Sequence, residues 1–573
     1  MVALDRPTRA TVSARPTSSN PSALQSALEE RDALIASLRK VIANLEGTIA
    51  ALQSALINHA NENELLKRRL FGPRTERTNT NEMQLALGDL LEQQAALQKK
   101  LEELVGQGRD DEEQAKPPPE DKPARPSPKG RRDLSASDLP RVVVEFRNET
   151  LEGQGGKLVD WESSFELMHV RGSWKVLEKK TAKYELEVAG ETTVLGVEAP
   201  KKLVRRSMLH TSAIAWVLTQ KFALGVPHHR LEQHLEAQGE SLDRSTMTRN
   251  AEEVGNALGA TVVHAMFRDS IENCGVLSTD ATGGAIQPGP RNGGPRQACK
   301  NGHFFTIVAD CDHVLFAYAA RHTQEAVAKL FKGFRGYLQS DASSVYDILE
   351  RGPPRDSDEG VVLVGCWAHC RRYFFDAAIC KYPLGLEGLT RIRAIYTADN
   401  ALSGLPPSDR KEQRAARVLP LVTEFFAWAE AAARITPGRT LATKALGYAM
   451  NQQHELRRVF LDGRLPLDNT RSERALRKIV VGRKNWMFYG SDVHAEAAAA
   501  IFTVIASCRL HRLDPEQYID EVMRVLPYWP RERYLELAPK SWRTTRASLD
   551  PRELDAPIGV ISVPPAGANA PVA

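Results

Sequence analysis

The chain has 573 residues, 42% hydrophobic and 26% charged, with 76 Lys or Arg against 72 Asp or Glu. That composition excludes a wholly disordered or fibrous protein, and a net charge of +4 gives no global sign of a polyanionic partner. The longest apolar stretch, around 497–506, is short of the ~20 residues that cross a bilayer. The N-terminus lacks the apolar core of a secretory signal. Seven sparse cysteines, none before Cys274, suggest no disulfide framework. The expectation is a cytoplasmic protein with no membrane partner.

Residues 1–22, rich in Ser, Thr, Pro and Arg, read as a disordered arm. A coiled coil is expected over 23–72. Leu28, Ile35, Ile42, Ile49, Leu56 and Asn63 recur every seven residues, and Leu24, Arg31, Leu38, Leu45, Leu52, His59 and Leu66 occupy the second seam. Ile at a and Leu at d favour a parallel dimer, and Asn63 is suited to fixing its register. A homodimer or higher oligomer through residues 24–70 is therefore expected. A shorter apolar seam predicts a helix over 80–106, and a Pro-rich charged linker covers 107–139. Alternating runs such as Val142-Val143-Val144 predict a small β module over 140–200, without a single cysteine.

Residues 201–265 read as helical. Leu231 to Leu235, the turn at Gln238-Gly239-Glu240 and the segment from Asp243 resemble a helix-turn-helix whose second helix is capped by Asp243 or Ser245. An ordinary helical hairpin explains the same pattern equally well.

The order of elements over 270–510 carries the chemistry. Gly275 to Thr279 predicts a short strand with Asp280 at its end. Phe304–Ala309 and Val314–Ala319 predict a hairpin, and Gln324–Phe331 a helix. Tyr337-Leu338-Gln339 predicts a strand followed at once by Asp341. Val361–Val364 predicts a buried strand leading into a helix with His369, Arg371 and Arg372. A later helix starts near Asp468-Asn469 and carries Glu473. This order is that of a ribonuclease H-like α/β fold, in which acids at neighbouring strand ends meet one from a later helix. Phosphodiester cleavage by two divalent cations about 3.5–4 Å apart needs such a set. Mg²⁺ or Mn²⁺ prefers carboxylate oxygens. Cys366, His369 and Cys370 lack a second ligand pair at zinc spacing, so no zinc is expected.

Between Asn451 and Gly490 stand nine Lys or Arg and four acids. Arg471, Arg474 and Arg477 share a helical spacing. With Arg483, Lys484, Asn485 and Trp486 they form a candidate DNA-contacting set, since basic residues among aromatics suit phosphates and unstacked ends. His369, Arg371 and Arg372 join it from the earlier helix.

Several of these stretches resemble the insertion-sequence-66 family of bacterial transposases. They are Gly365-Cys366-Trp367-Ala368-His369-Cys370-Arg371-Arg372, Asp468 to Ala475, Gly482 to Ser491, Gly333 to Asp341, Leu66 to Arg77 and Ser507 to Tyr518. Ser278-Thr279-Asp280-Ala281-Thr282 is similar to the family's first-aspartate motif. The resemblance implies a DDE transposase with Asp280, Asp341 and Glu473 as metal ligands and catalytic acids. It would cut DNA at transposon ends and join them to target DNA. It also implies accessory proteins of the same element, and a cysteine-pair zinc module that the cysteine-free 140–200 segment departs from. The separation of 132 positions from Asp341 to Glu473 implies a helical insertion at about 382–465. A C-terminal helical segment at 511–545 and a disordered tail at 546–573 complete the expected plan. Two other readings remain: a DNA-binding dimer descended from a transposase that no longer cuts, and a nuclease of the same fold without strand transfer.

Overall fold

The computed structural model describes residues 31–33, 35–44, 47, 134–137, 139–154, 157–170, 172–188, 191–289, 297–310, 312–350 and 360–566. The arm at 1–22, the helix expected at 80–106, and most of the expected coil and linker lie outside these. The chain divides into two compact units, residues 1–116 with 376–385 and residues 117–375 with 386–573. In the first, residues 31–33 and 35–44 are helical, and Ile35, Leu38 and Ile42 are all exposed. These apolar side chains hold a and d heptad positions and share one helical face. In segment 376–385, Lys381 adopts φ +62° and the Tyr382 N–H donates to the Ala377 carbonyl at 3.1 Å.

The second unit begins with Leu134, buried at the end of the expected linker. Its first sheet comprises β1 (Arg141–Phe146), β2 (Lys157–Val170), β3 (Ser173–Val188) and β4 (Glu191–Gly196), in the order β1-β3-β2 with β4 also on β3. β2 and β3 form a long antiparallel hairpin that turns at Gly172, whose φ of +85° suits glycine. Leu167, Trp174, Val176 and Tyr184 supply its buried side.

Helices follow: α1 (Thr211–Leu218), α2 (His228–Ala237), α3 (Arg244–Leu258) and α4 (His264–Asn273). A π-helical turn, Thr219–Ala223, extends α1. Asp243 caps α3 by accepting from the Ser245 N–H at 2.6 Å. Behind its polar first turn, α3 buries Met247, Ala251, Val254 and Leu258. A Cβ on Gly255 would stand 2.4 Å from the Ala497 carbonyl, so this helix meets a later one backbone to backbone.

The second sheet is built from β5 (Val276–Ile286), β6 (Lys300–Ala309), β7 (His313–Ala319), β8 (Gly336–Gln339) and β9 (Val361–Val364), with α5 (Gln324–Leu330) between β7 and β8. The strand order is β7-β6-β5-β8-β9. β5, β6 and β7 are antiparallel, whereas β8 and β9 run parallel to β5. Gly336, at φ +129°, is where β8 presses on β5: a Cβ there would fall 2.4 Å from the Gly275 carbonyl.

α6 (Trp367–Ile379) and α7 (Pro383–Asn400) lead into α8 (Pro407–Arg417), α9 (Leu419–Ile435) and α10 (Leu441–Asn451). Trp367, Phe374, Phe425 and Phe426 form an aromatic cluster. The fully buried Arg414 pairs with Asp399 and also donates to the Val459 and Leu465 carbonyls. That pair ties the helical insertion to the chain approaching α11 (Thr470–Trp486). After β10 (Phe488–Tyr489) come α12 (Asp492–Leu510), α13 (Pro515–Val525) and α14 (Pro539–Ala547).

α12 is long and apolar enough to cross a membrane by composition, yet most of it is buried inside this fold. It lies against β7 and α3. Its Thr503 hydroxyl accepts from the Phe316 N–H at 2.8 Å, and its Ser507 hydroxyl from the Val314 N–H at 3.2 Å.

Three expectations are corrected here. β5 continues to Ile286, so Asp280 lies inside a strand rather than at its end; β6 pairs it through Gly283 and Gly284, which the sequence presents as breakers. Residues 546–566 are ordered. Leu549, Leu554 and Ile561 are buried, and Arg524 and His210 bind the carbonyls of Leu554 and Pro557. Apolar residues spaced that widely show no period, so the sequence resembled a solvated tail. Finally, Cys274 is disulfide-bonded, a spatial proximity that cysteine spacing does not reveal; Cys299, Cys366, Cys370, Cys380 and Cys508 are free.

Candidate active site

β5 has one edge fully paired by β6. Its other edge is shared: β8 pairs residues 276–278 and β10 pairs 285–286. The stretch between has no strand partner, and α11 lies over it. The buried Asn469, at the start of α11, donates its amide N–H to the Thr279 carbonyl. Arg483, near the other end, donates to the Thr282 hydroxyl at 3.1 Å and to the Gly283 carbonyl. Side chains from a helix thus satisfy carbonyls that a strand would otherwise take.

Asp280 stands on this open stretch. Its carboxylate accepts from its neighbour's N–H, Ala281, at 2.8 Å. Burial pushes its pKa up to about 7; the charges of Asp341 and Glu473 push the same way, and the Ala281 N–H and Arg372 oppose them. Asp341 lies two residues beyond β8, where its carboxylate meets the Ser343 N–H at 3.4 Å. Glu473 lies in the first turn of α11, where the helix dipole favours a negative charge. Its Oε1 is 3.7 Å from Nε2 of His369 in α6, whose Nδ1 is buried without a hydrogen-bond partner. The three acids therefore share one electrostatic neighbourhood. Among the described residues, though, no three His, Cys, Asp or Glu side chains form a closed metal-holding group.

Two positioning residues escaped the sequence reading. Gln339 is fully buried; its amide donates to the Pro466 carbonyl at 2.8 Å and to the Gly365 carbonyl at 3.4 Å, while its oxygen accepts from Ser278 at 3.5 Å. It joins β5, β8 and the approach to α11. Asn469 also donates its backbone N–H to the Cys366 sulfur at 3.2 Å. Burial pushes the Cys366 thiol up to about 12, and Cys370 is raised likewise. These thiols pack as small apolar groups rather than as thiolate ligands. Beside Asp341 opens a cavity of about 250 Å³, lined also by Tyr346, Asp347, Glu350 and Glu455.

Of the residues expected to meet DNA, Arg471, Arg474, Arg477 and Lys484 are exposed along α11, and Arg372 is exposed on α6. Arg371 and His369 are partly buried. Arg483, Asn485 and Trp486 are half-buried and have partners inside the fold. Arg483 holds β5, Asn485 donates to the Gly225 carbonyl at 2.7 Å, and Trp486 packs against Phe222 and Tyr489. Basic-plus-aromatic composition has the same look on a surface and at a helix seat. The distinguishing signal was Gly482, where a Cβ would meet the Trp486 ring at 2.3 Å.

A mixed sheet thus carries Asp280 on its central strand and Asp341 just beyond the neighbouring one, with Glu473 on a helix packed against β5 and β6. Residues 206–497 match the family model described as "Transposase IS66 family", and residues 61–144 that described as "Transposase C of IS166 homeodomain". The chain belongs to the IS66 transposase family. Two relatives from Sinorhizobium fredii (strain NBRC 101917 / NGR234) bear the names uncharacterized protein y4hP and uncharacterized protein y4qI. The first is 26% identical over 517 residues, 85% of this chain and 88% of its own length. The second is 24% identical over 532 residues, 89% and 94% respectively. Among solved structures, a Drosophila P element transposase strand transfer complex aligns with 54% of this chain and 81% of its own at 12% identity. Its TM-score of 0.21 is too low to carry an argument.

Proposed function

We propose that this chain is a DDE transposase with a ribonuclease H-like core, in which Asp280, Asp341 and Glu473 act together on DNA phosphodiesters. The observation that carries the reading is the stretch of β5 around Asp280 that β6 pairs on one edge and no strand pairs on the other. Asp280 on that strand, Asp341 just beyond β8 and Glu473 in the first turn of α11 support a shared role, since the charges of the latter two both raise the pKa of Asp280. Three carboxylates with little countercharge are a hard-oxygen donor set that fits Mg²⁺ or Mn²⁺. When bound, the cations would lower the pKa of attacking water and neutralise charge on the leaving oxygen.

Asp280 and Asp341 would hold the cations and Glu473 would complete the set, oriented by His369. In the first reaction a water oxygen forms a bond to phosphorus and gives up a proton, the bond to the 3′ oxygen at the element's end breaks, and that oxygen takes up a proton, leaving a 3′-hydroxyl and a 5′-phosphate. In the second, the freed 3′-hydroxyl attacks a target phosphodiester and displaces another 3′ oxygen. Arg471, Arg474, Arg477 and Lys484 would neutralise backbone phosphates. The exposed Ile35, Leu38 and Ile42 row supports pairing of two protomers, which would let two ends be handled together. Accessory proteins of the same element are natural partners.

One observation favours a second reading, a DNA-binding dimer that no longer cuts: the acids do not form a closed ligand group among the described residues. One assay separates the two. Glu473→Gln is expected to abolish cleavage of a labelled terminal-repeat duplex in Mg²⁺ while leaving DNA binding intact. Full cleavage by that variant would remove Glu473 from the mechanism. Binding without cleavage by the unmodified protein in both Mg²⁺ and Mn²⁺ would establish the silent binder.

A further inference from the structure

A cavity of about 220 Å³ lies where the π-helical turn, α3, β10 and α12 meet. It is lined by Lys221, Phe222, Thr248, Phe488, Tyr489 and His494, among others. Lys221 belongs to the π-helical turn, an uncommon element often found at functional sites. Its ammonium sits 5.4 Å from the centre of the Phe222 ring and 5.5 Å from that of Trp486. These rings are its only recorded partners among the described residues; it makes no hydrogen bond or ion pair. The acid in the cavity wall, Glu252, is taken by His494 at 3.0 Å. His228, close enough to feel the lysine, is itself buried and held well below the usual imidazole range.

Burial alone lowers the Lys221 pKa to about 8, and no carboxylate offsets it. The side chain thus remains mostly protonated at neutral pH. An ammonium held against rings with no anion beside it is incompletely compensated for its lost hydration, and the rings return only part of that. The site is therefore short of one negative charge and has room for it. The exposed basic residues of α11 run toward Trp486, which lies under Lys221.

We propose that this cavity is an oxyanion site in which Lys221 receives a non-bridging oxygen of a DNA backbone phosphate. The identity of the donor as DNA rests on the function proposed above; the site's preference for an oxyanion does not. Free inorganic phosphate presents the same chemistry, and the test distinguishes the two sources.

The full-length protein would be labelled with an amine-reactive reagent and Lys221 modification followed by peptide mass spectrometry. Three conditions would be compared: alone, with millimolar inorganic phosphate, and with duplex DNA whose binding is measured in parallel. Protection of Lys221 by bound DNA, with or without protection by phosphate, is the expected result. Protection by phosphate alone would retain the oxyanion site and overturn DNA as its occupant. Unchanged labelling under phosphate and under saturating DNA would overturn the proposal. If no DNA binds, the function proposed above fails, and the phosphate condition alone decides the site. Lys221→Met, expected to fold because it removes a desolvated charge, should lower the slope of log K against log salt by about 1. An unchanged slope with DNA still bound would place Lys221 off the DNA path.

Discussion

Glu166 in the first sheet and Asp280 in the second are both acids withdrawn from water, and their surroundings push them in opposite directions. For Glu166, burial raises the pKa, but Lys202 and Lys179 both reach its Oε1 and outweigh it; the net shift is downward. For Asp280, burial, Asp341 and Glu473 all raise the pKa, against the Ala281 N–H and Arg372. The first charge is neutralised within the protein and serves the fold. The second is left raised, because Asp341 and Glu473 add to the effect of burial rather than offset it. Asp399, held by Arg410 and Arg414, belongs with Glu166.

The comparison breaks most sharply at activity. Asp280→Asn should abolish DNA cleavage while leaving the metal-free thermal midpoint equal or higher, because it removes a poorly compensated charge. A large fall in that midpoint would mean Asp280 holds the fold, as Glu166 does. Next in size, Glu166→Gln should cost about 3–5 kcal/mol in denaturant unfolding, since it strands two lysines in a buried site. The pH dependence has a definite sign. Glu166 titrates below its ordinary 4.5 when folded, so its contribution is complete above that value and is lost as pH falls through the lower folded pKa. The variant should lack that acid-side loss.

Cation binding sharpens the comparison further. Mg²⁺ at about 100 times its dissociation constant should stabilise the unmodified chain by about 2.7 kcal/mol. Asp280→Asn should lose most of this in a thermal melt, whereas the same experiment on Glu166→Gln should retain it. Smallest is Asn469→Ala, expected to cost about 1–3 kcal/mol by leaving the Thr279 carbonyl unpaired. It should also slow cleavage, because α11 loses its tie to the strand that bears Asp280.

The parts of this frame legible in the sequence were those with a local signature. Tyr337-Leu338-Gln339 shortly before Asp341 marked β8, and Asp468-Asn469 before a basic amphipathic run marked the start of α11. Less local facts were hidden. The length of β5 depended on Phe304, whose ring lies where a Cβ on Gly284 would come within 2.9 Å; that contact explains a glycine that otherwise reads as a turn. Asn469 and Gln339 are ordinary polar residues in the sequence, and only their burial between distant segments gives them their roles. Asn485 and Trp486 matched a nucleic-acid surface by composition because composition does not say which way a side chain turns. Family membership came from several short motifs in a fixed order, which no single stretch would have supplied.

The hydroxyls that α12 offers to β7 carry a consequence beyond local bonding. An outer strand with bare amides is a template on which a second molecule can lay its own chain. Here Thr503 and Ser507 already occupy two of those amides, so the six-stranded sheet is sealed on that flank. Copies crowded together during synthesis would find no backbone ladder to extend there, and their contacts would be left to side-chain surfaces that can be made selective.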